Sequence, residues 1–218
     1  MVKIYGEAEM GEKDYRDIGR HLKSSGIIIY PTETSYAIGA NALDNSAVRQ
    51  IYELKGRSAD KPLPVLVKDL NMLINIAVLN RMEEDAISKF WPGPLTIIFN
   101  LKPKKRAENY LFTAGSDSIG ARISPHPFAA NLFKEIDFPI ISTSANASGS
   151  ENFSDFGELN EKFLRRLPDL NILAVNGGTL AGGSSTIIKF RKKDIEVIRE
   201  GDNNISKKLI CSIKNKPI

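Results

Sequence analysis

Lys55 and Arg57 are two cations separated only by Gly56, a pairing that suits a phosphate-bearing ligand. They follow an amphipathic run, Val48 to Leu54, that opens at Asp44-Asn45-Ser46, so the pair leaves a helix end through a flexible corner. A guanidinium holds two phosphate oxygens at once, while an ammonium is a compact charge able to follow a group being displaced. The pair also suits a helix C-terminus decorated with cations for its dipole, with Lys61 a further solvated charge. Downstream, Phe138-Pro139-Ile140-Ile141 reads as a short buried strand ending in Ser142-Thr143-Ser144-Ala145-Asn146. Hydroxyls, an amide and backbone N–H groups at such a turn can converge on one oxyanion. Asn and Ser also bond their own backbone in ordinary turns and caps. A third polar cluster, Tyr30-Pro31-Thr32-Glu33-Thr34, closes the apolar run Ile27-Ile28-Ile29. Strand ends are where α/β proteins gather polar groups around a ligand.

Other chemistries lack their residues. The pairs Gly177-Gly178 and Gly182-Gly183 fit neither GxxxxGK[ST] nor GxGxxG after a strand, so a P-loop or Rossmann site is unsupported. Two separated histidines, His21 and His126, make no zinc site, and Cys211 stands alone, which points to no disulfide and a reducing, cytoplasmic compartment. The start, Met1 to Glu12, is polar and lacks a signal-peptide core, and no apolar run reaches the length of a membrane span.

The elements that must position these clusters alternate between apolar runs and helical patterns. Helices are expected over Asp14 to Leu22, Val48 to Leu54, Glu83 to Phe90, Pro127 to Ile136 and Asp155 to Leu167. Strands are expected at Ile27 to Tyr30, Val65 to Val67, Leu95 to Leu101, Ile119 to Ile123, Ile140-Ile141, Ile172 to Val175, Thr186 to Phe190 and Ile195 to Ile198. Adjacent C-terminal strands without a helix between them require antiparallel pairing, so the class is α/β with a mixed, twisted sheet and a concave, basic ligand-binding face. The 218 residues, 42% hydrophobic, suit one domain, with a core over about 15–200 and a polar, Lys-rich tail over about 202–218. The formal net charge of +4 fits an anionic substrate and permits RNA contact without requiring it. The run Lys102-Pro103-Lys104-Lys105-Arg106 is most simply a solvated loop.

Seven motifs in order carry a resemblance to a known family. They are Pro31-Thr32-Glu33-Thr34 with Tyr36 and Gly39; Lys55 and Arg57; Trp91-Pro92-Gly93-Pro94-Leu95-Thr96; Gly120-Ala121-Arg122-Ile123 with His126-Pro127; Ser144 and Asn146; Ser185-Thr186; and Ile198-Arg199-Glu200-Gly201. Over about residues 15 to 200 the chain resembles the YrdC-like family, the L-threonylcarbamoyladenylate synthases of the tRNA t6A pathway. Two departures stand out. Many relatives carry a histidine in the strand after the Lys/Arg pair, where this chain has a leucine within Pro62-Leu63-Pro64-Val65-Leu66-Val67, and Ala37 replaces a glycine.

The resemblance implies a YrdC-like fold and a nucleotidyltransferase that joins L-threonine, bicarbonate and ATP into threonylcarbamoyl-AMP and pyrophosphate. Magnesium would accompany the ATP, with no protein metal ligand assigned. Lys55, Arg57, Ser144 and Asn146 would carry the catalysis. Thr34, Arg122, Ser142 and Ser185 would hold threonine, with Arg122 on its carboxylate. Arg57, Lys61, Ser118, Ser144, Asn152 and Arg199 would line the ATP side. Lys55 and Arg57 are expected to be exposed cations outside the core. The implied partners are tRNA and a downstream threonylcarbamoyl-transferase complex, with no membrane. Some relatives carry a second C-terminal domain, for which this chain leaves no room. A non-synthase paralogue of the same fold, binding nucleotide or structured RNA, is the alternative.

Overall fold

The computed structural model describes residues 2–106, 108–167, 171–191, 194–201 and 204–214. In chain order, β1 (Lys3–Gly6) and α1 (Glu12–Lys23) precede β2 (Ile27–Tyr30), β3 (Ala37–Gly39), α2 (Asn45–Lys55), β4 (Val65–Leu66), α3 (Leu70–Ile76) and β5 (Ala77–Val78). Then come α4 (Arg81–Phe90), β6 (Leu95–Leu101), α5 (Pro103–Arg106), β7 (Ser118–Arg122), α6 (Pro127–Leu132), β8 (Ile140–Ile141) and β9 (Thr143–Ser144). The last elements are α7 (Phe156–Lys162), β10 (Ile172–Asn176), β11 (Thr186–Arg191), β12 (Asp194–Arg199) and α8 (Ile205–Lys214).

The mixed α/β class holds, with the strands divided between two sheets. One runs β1-β10-β2-β3-β9; the other runs β12-β11-β6-β7-β4-β8, with β5 paired to β6. Both mix directions: β10 is parallel to β2, which is antiparallel to β3, and β11 is parallel to β6 but antiparallel to β12. The last pairing is the one expected from consecutive strands without a helix between them.

Strand β2 shows how the layers form. Its four residues are wholly buried, and successive side chains of a strand point to opposite faces. Ile27 and Ile29 join a core shared by both sheets, with Val48 and Ile51 of α2 and Ile97 and Phe99 of β6. Ile28 and Tyr30 join a second core with Ile18 and Leu22 of α1 and Phe128 and Leu132 of α6. Each fully buried isoleucine contributes about 1.5–3 kcal/mol, so one short strand anchors two layers. The histidines are used locally: His21 Nε2 lies 2.9 Å from Ile27 O, and His126 Nδ1 caps α6 by accepting from Phe128 N.

Both ends differ from expectation. The polar start contains β1, paired in parallel to β10 from Lys3↔Leu173 to Gly6↔Asn176; its exposed lysine and mixed burial hid an edge strand. The expected Lys-rich tail contains α8, whose Ile205 and Leu209 are buried in the main core. Lysines at 207 and 208 mask a four-residue apolar spacing that only a packing partner reveals. Residues 202, 203 and 215–218 of that segment lie outside the described residues. Leu209→Ala is expected to lower stability by about 2–4 kcal/mol, whereas a solvated tail would leave it unchanged; denaturant titration measures the difference. The predicted helix Pro127–Ile136 is shorter, ending at Leu132, and the one over Asp155–Leu167 breaks at Phe163 into a 3₁₀ turn, Leu164–Arg166. In the basic run, Arg106 bonds Leu101 O and pairs with Asp117, and Lys105 pairs with Glu108.

Candidate active site

A cavity of about 380 Å³ opens where the two sheets meet. Ala37 of β3 and Thr143 and Ser144 of β9 face it from one sheet. From the other come Thr96 and Ile98 of β6, Ser118, Gly120 and Arg122 of β7, Ile187 of β11, and Ile198 and Arg199 of β12. Loops supply Thr32, Thr34, Arg57, Lys61, Ser142, Asn152 and Ser185, so ten of the twelve residues expected from sequence line this one cavity. The two that do not are Lys55 and Asn146. Among the lining residues are four cations, Arg57, Lys61, Arg122 and Arg199, and no carboxylate. Such a wall favours an anionic ligand, because no acidic side chain on it opposes the charge.

The helix end separates Lys55 from Arg57. Asp44 caps the start of α2 by accepting from Ser46 N and Ala47 N, and Gly56 ends the helix at φ 55°, a left-handed conformation that suits glycine. The chain reverses there, so Lys55 points inward and Arg57 toward the cavity. Tyr52 OH donates to Lys61 O at 2.9 Å and steadies the loop between them.

Lys55 is therefore not the exposed cation expected; it is 3% exposed. Its Nζ donates to Ser144 O, to Asn146 O at 2.8 Å and to Asn146 Oδ1 at 2.9 Å. An ammonium has three N–H donors, so all of them are committed to the turn. Ser144 Oγ donates to the same Asn146 Oδ1 at 2.7 Å, and Asn146 Nδ2 reaches Ser150 O, Glu151 O and, at 3.3 Å, Asn152 Oδ1. Lys55 and Asn146 thus lie beneath the cavity and hold Ser144 and Asn152 in its wall. Sequence could place this lysine at a helix end, but a buried lysine satisfied by a turn about ninety residues away leaves no local signature.

Burial first, and the neighbouring Arg57 guanidinium second, push the Lys55 ammonium down to about 8 from 10.5. Between these values the folded chain gives up a proton that the unfolded chain keeps, so this group makes stability rise with pH across that window. Function runs the other way. Above about pH 8 a neutral amine offers two N–H groups to three acceptors, and the turn loosens. We expect any turnover at this cavity to fall on an alkaline limb centred near pH 8, measured as a pH–rate profile; a flat profile to pH 10 would show that the turn does not depend on this charge.

Arg57 is loosely held. Its Nη2 donates to Pro62 O at 3.2 Å, and its buried Nε has no hydrogen-bond partner among the described residues. Arg122, 6% exposed, pairs through Nη1 with Glu33 and lies 3.5 Å through Nη2 from Ser142 Oγ. Arg199 is fixed by Ser185, donating to its carbonyl through Nε at 3.1 Å and Nη2 at 2.8 Å, and to its hydroxyl at 3.0 Å. Ser118 Oγ lies 2.7 Å from Ser116 Oγ. Gly201 explains the end of its motif: a Cβ there would lie 2.3 Å from Ser184 O and 2.6 Å from Thr186 N, so only glycine lets β12 close onto the Ser185 segment.

The sequence assignment missed Thr32, Ser35, Thr143 and Ser184, which line the cavity, and two further polar contributors that lie inside its motifs. Thr96 lines the cavity and sits 3.1 Å, hydroxyl to hydroxyl, from Ser185. Glu33 supplies the carboxylate on Arg122. Of the leucines after the Lys/Arg pair, Leu63 lines the cavity and Leu66 packs into the α1–α6 core, so neither offers a polar contact.

Comparison with known proteins identifies the family of the chain. The family model described as telomere recombination, Sua5/YciO/YrdC, matches residues 20–201. A Methanocaldococcus jannaschii protein provisionally named threonylcarbamoyl-AMP synthase is 34% identical over 216 residues, 97% of each chain. The threonylcarbamoyl-AMP synthase of Pyrococcus abyssi is 33% identical over 182 residues, 83% of this chain and 52% of its own, so here the chain spans about half of its relative. The solved structure of Pyrococcus abyssi Sua5 complexed with L-threonine superposes with a TM-score of 0.82 at 27% identity, covering 100% of this chain and 65% of that one. The chain belongs to the Sua5/YciO/YrdC family.

Proposed function

We propose that the protein is an L-threonylcarbamoyladenylate synthase, converting L-threonine, bicarbonate and ATP into threonylcarbamoyl-AMP and pyrophosphate. The observation that carries this reading is a cavity wall with four cations, several hydroxyls and no carboxylate, in a chain whose relatives carry that activity in their names. The chemistry needs such a wall. The threonine amine, losing a proton, bonds to the carbon of bicarbonate as water leaves, giving a carbamate. A carbamate oxygen then bonds to the α-phosphorus as the bond to the pyrophosphate oxygen breaks. Two anions and a triphosphate must approach, so fixed positive charge and orientation supply most of the acceleration.

Arg122 with Ser142 would take the threonine carboxylate, near Thr34 and Ser185. Arg57, Lys61, Ser118, Ser144, Asn152 and Arg199 would line the nucleotide side, with Arg57 stabilising charge that develops on pyrophosphate. Lys55 and Asn146 hold the Ser144 turn without touching substrate. Magnesium belongs to this reading as the partner of ATP. Held mainly by phosphate oxygens and water, it would neutralise phosphate charge beside a wall that offers hydroxyls. The product would be the first intermediate of tRNA t6A37 formation, handed to a threonylcarbamoyl-transferase complex that meets the tRNA. A cytoplasmic setting fits a nucleotide-dependent reaction and the lone free Cys211; among the described residues no helix is long and apolar enough to cross a membrane.

The test is pyrophosphate release from ATP, bicarbonate and magnesium with and without L-threonine. Threonine-dependent release supports the reading. A sample that binds ATP by calorimetry yet releases nothing would favour the non-synthase paralogue.

A further inference from the structure

Glu33 lies within the Pro31–Thr34 motif yet does not line the cavity. Its neighbours Thr32 and Thr34 do, their hydroxyls 3.1 Å apart. Glu33 turns away from them: Oε1 pairs with Arg122 Nη1, and Oε2 accepts from Ser124 Oγ. The two charged side chains are 13% and 7% exposed. Arg122 keeps its Nη2 edge beside Ser142 Oγ, on the cavity wall.

A guanidinium is a rigid plane with five donors, so fixing one edge decides where the other points. A carboxylate that is itself held by a hydroxyl makes a stiff anchor for that edge. We propose that Glu33 is a positioning residue for the substrate carboxylate: it pins Nη1 of Arg122 so that Nη2 and Ser142 present a two-point site to an amino acid. Glu33 acts through Arg122 and never touches the ligand. The inference rests on the threonine reading above and adds the residue that orients its carboxylate contact. A rival of opposite sign, in which Glu33 occupies the place of the substrate carboxylate and must be displaced, conflicts with its position off the cavity wall.

The experiment compares Glu33→Ala, Glu33→Gln and Ser124→Ala with the wild type by pyrophosphate release, varying threonine and ATP separately, with thermal unfolding of each protein. Glu33→Ala is expected to raise the KM for L-threonine about ten- to hundredfold, the loss of one charge-assisted contact. The KM for ATP and kcat at saturating threonine should stay within about threefold, a split that general loosening of the fold would not give. Glu33→Gln keeps an oxygen for Nη1 and should recover part of the loss, and Ser124→Ala should give a smaller rise in the same direction. An unchanged or lowered threonine KM in folded Glu33→Ala overturns the proposal. Should that variant fail to fold, an unmoved threonine KM in Ser124→Ala overturns it. A wild type without threonine-dependent release defeats the synthase reading and the proposal together, whereas an active wild type with unmoved variants defeats the proposal alone.

Discussion

Arg57→Ala is expected to cut threonine-dependent pyrophosphate release by about two to three orders of magnitude, the cost of removing one preorganised charge from a transition state. Its melting temperature should stay within about 2 °C of wild type, because among the described residues the Arg57 side chain makes one hydrogen bond, to Pro62 O at 3.2 Å, and its buried Nε has no partner. Full activity with unchanged melting would remove Arg57 from the reaction. The same variant should move the alkaline limb upward, since the Arg57 charge is one of the two causes that lower the Lys55 ammonium.

Lys55→Met should lose both activity and stability. Methionine approximates the lysine stem and offers no donor. Ser144 O still accepts from Asn146 N, and Asn146 Oδ1 from Ser144 Oγ, but Asn146 O is left bare. One unsatisfied buried acceptor, partly offset by no longer burying an ammonium, gives a net loss of about 2 kcal/mol, or about 4–8 °C in melting temperature. Pyrophosphate release should fall about a hundredfold because Ser144 and Asn152 shift in the wall. Calorimetry and the release assay on one preparation check both. A Lys55→Met protein that melts like wild type but is inactive would restore the direct catalytic role that its place in the motif implied. The two cations, two positions apart in sequence, are thus separable by experiment: Arg57 is expected to act on the ligand and Lys55 on the protein.

The central elements were legible where local physics is strong. The run Ile27 to Tyr30 is apolar on both faces, and a strand buried on both faces is what the fold contains. Leu95 to Leu101, bounded by Trp91-Pro92-Gly93-Pro94, was readable to the residue, since that punctuation leaves no other start. Elements held by partners were not. Ala37–Gly39 and Thr143–Ser144 are too short and too small-sided to show a period; the first is a strand because it pairs with β2 and with the second, and the second because it pairs with the first. At the ends, β1 and α8 owe their order to β10 and the main core.

The sequence by itself determined which groups are available, since cations, hydroxyls and an amide in seven ordered motifs mark a site for anions. The tertiary structure alone decided what each group does. Arg57 and Lys55 look equivalent along the chain, yet a left-handed Gly56 sends one to the cavity and buries the other beneath it. Arg122 reads as a free carboxylate ligand, yet Glu33, 89 positions away, already holds one of its edges. The reason is physical. Side-chain chemistry is local and can be read residue by residue, whereas burial, hydrogen-bond partners and pKa depend on groups that only the folded chain brings together.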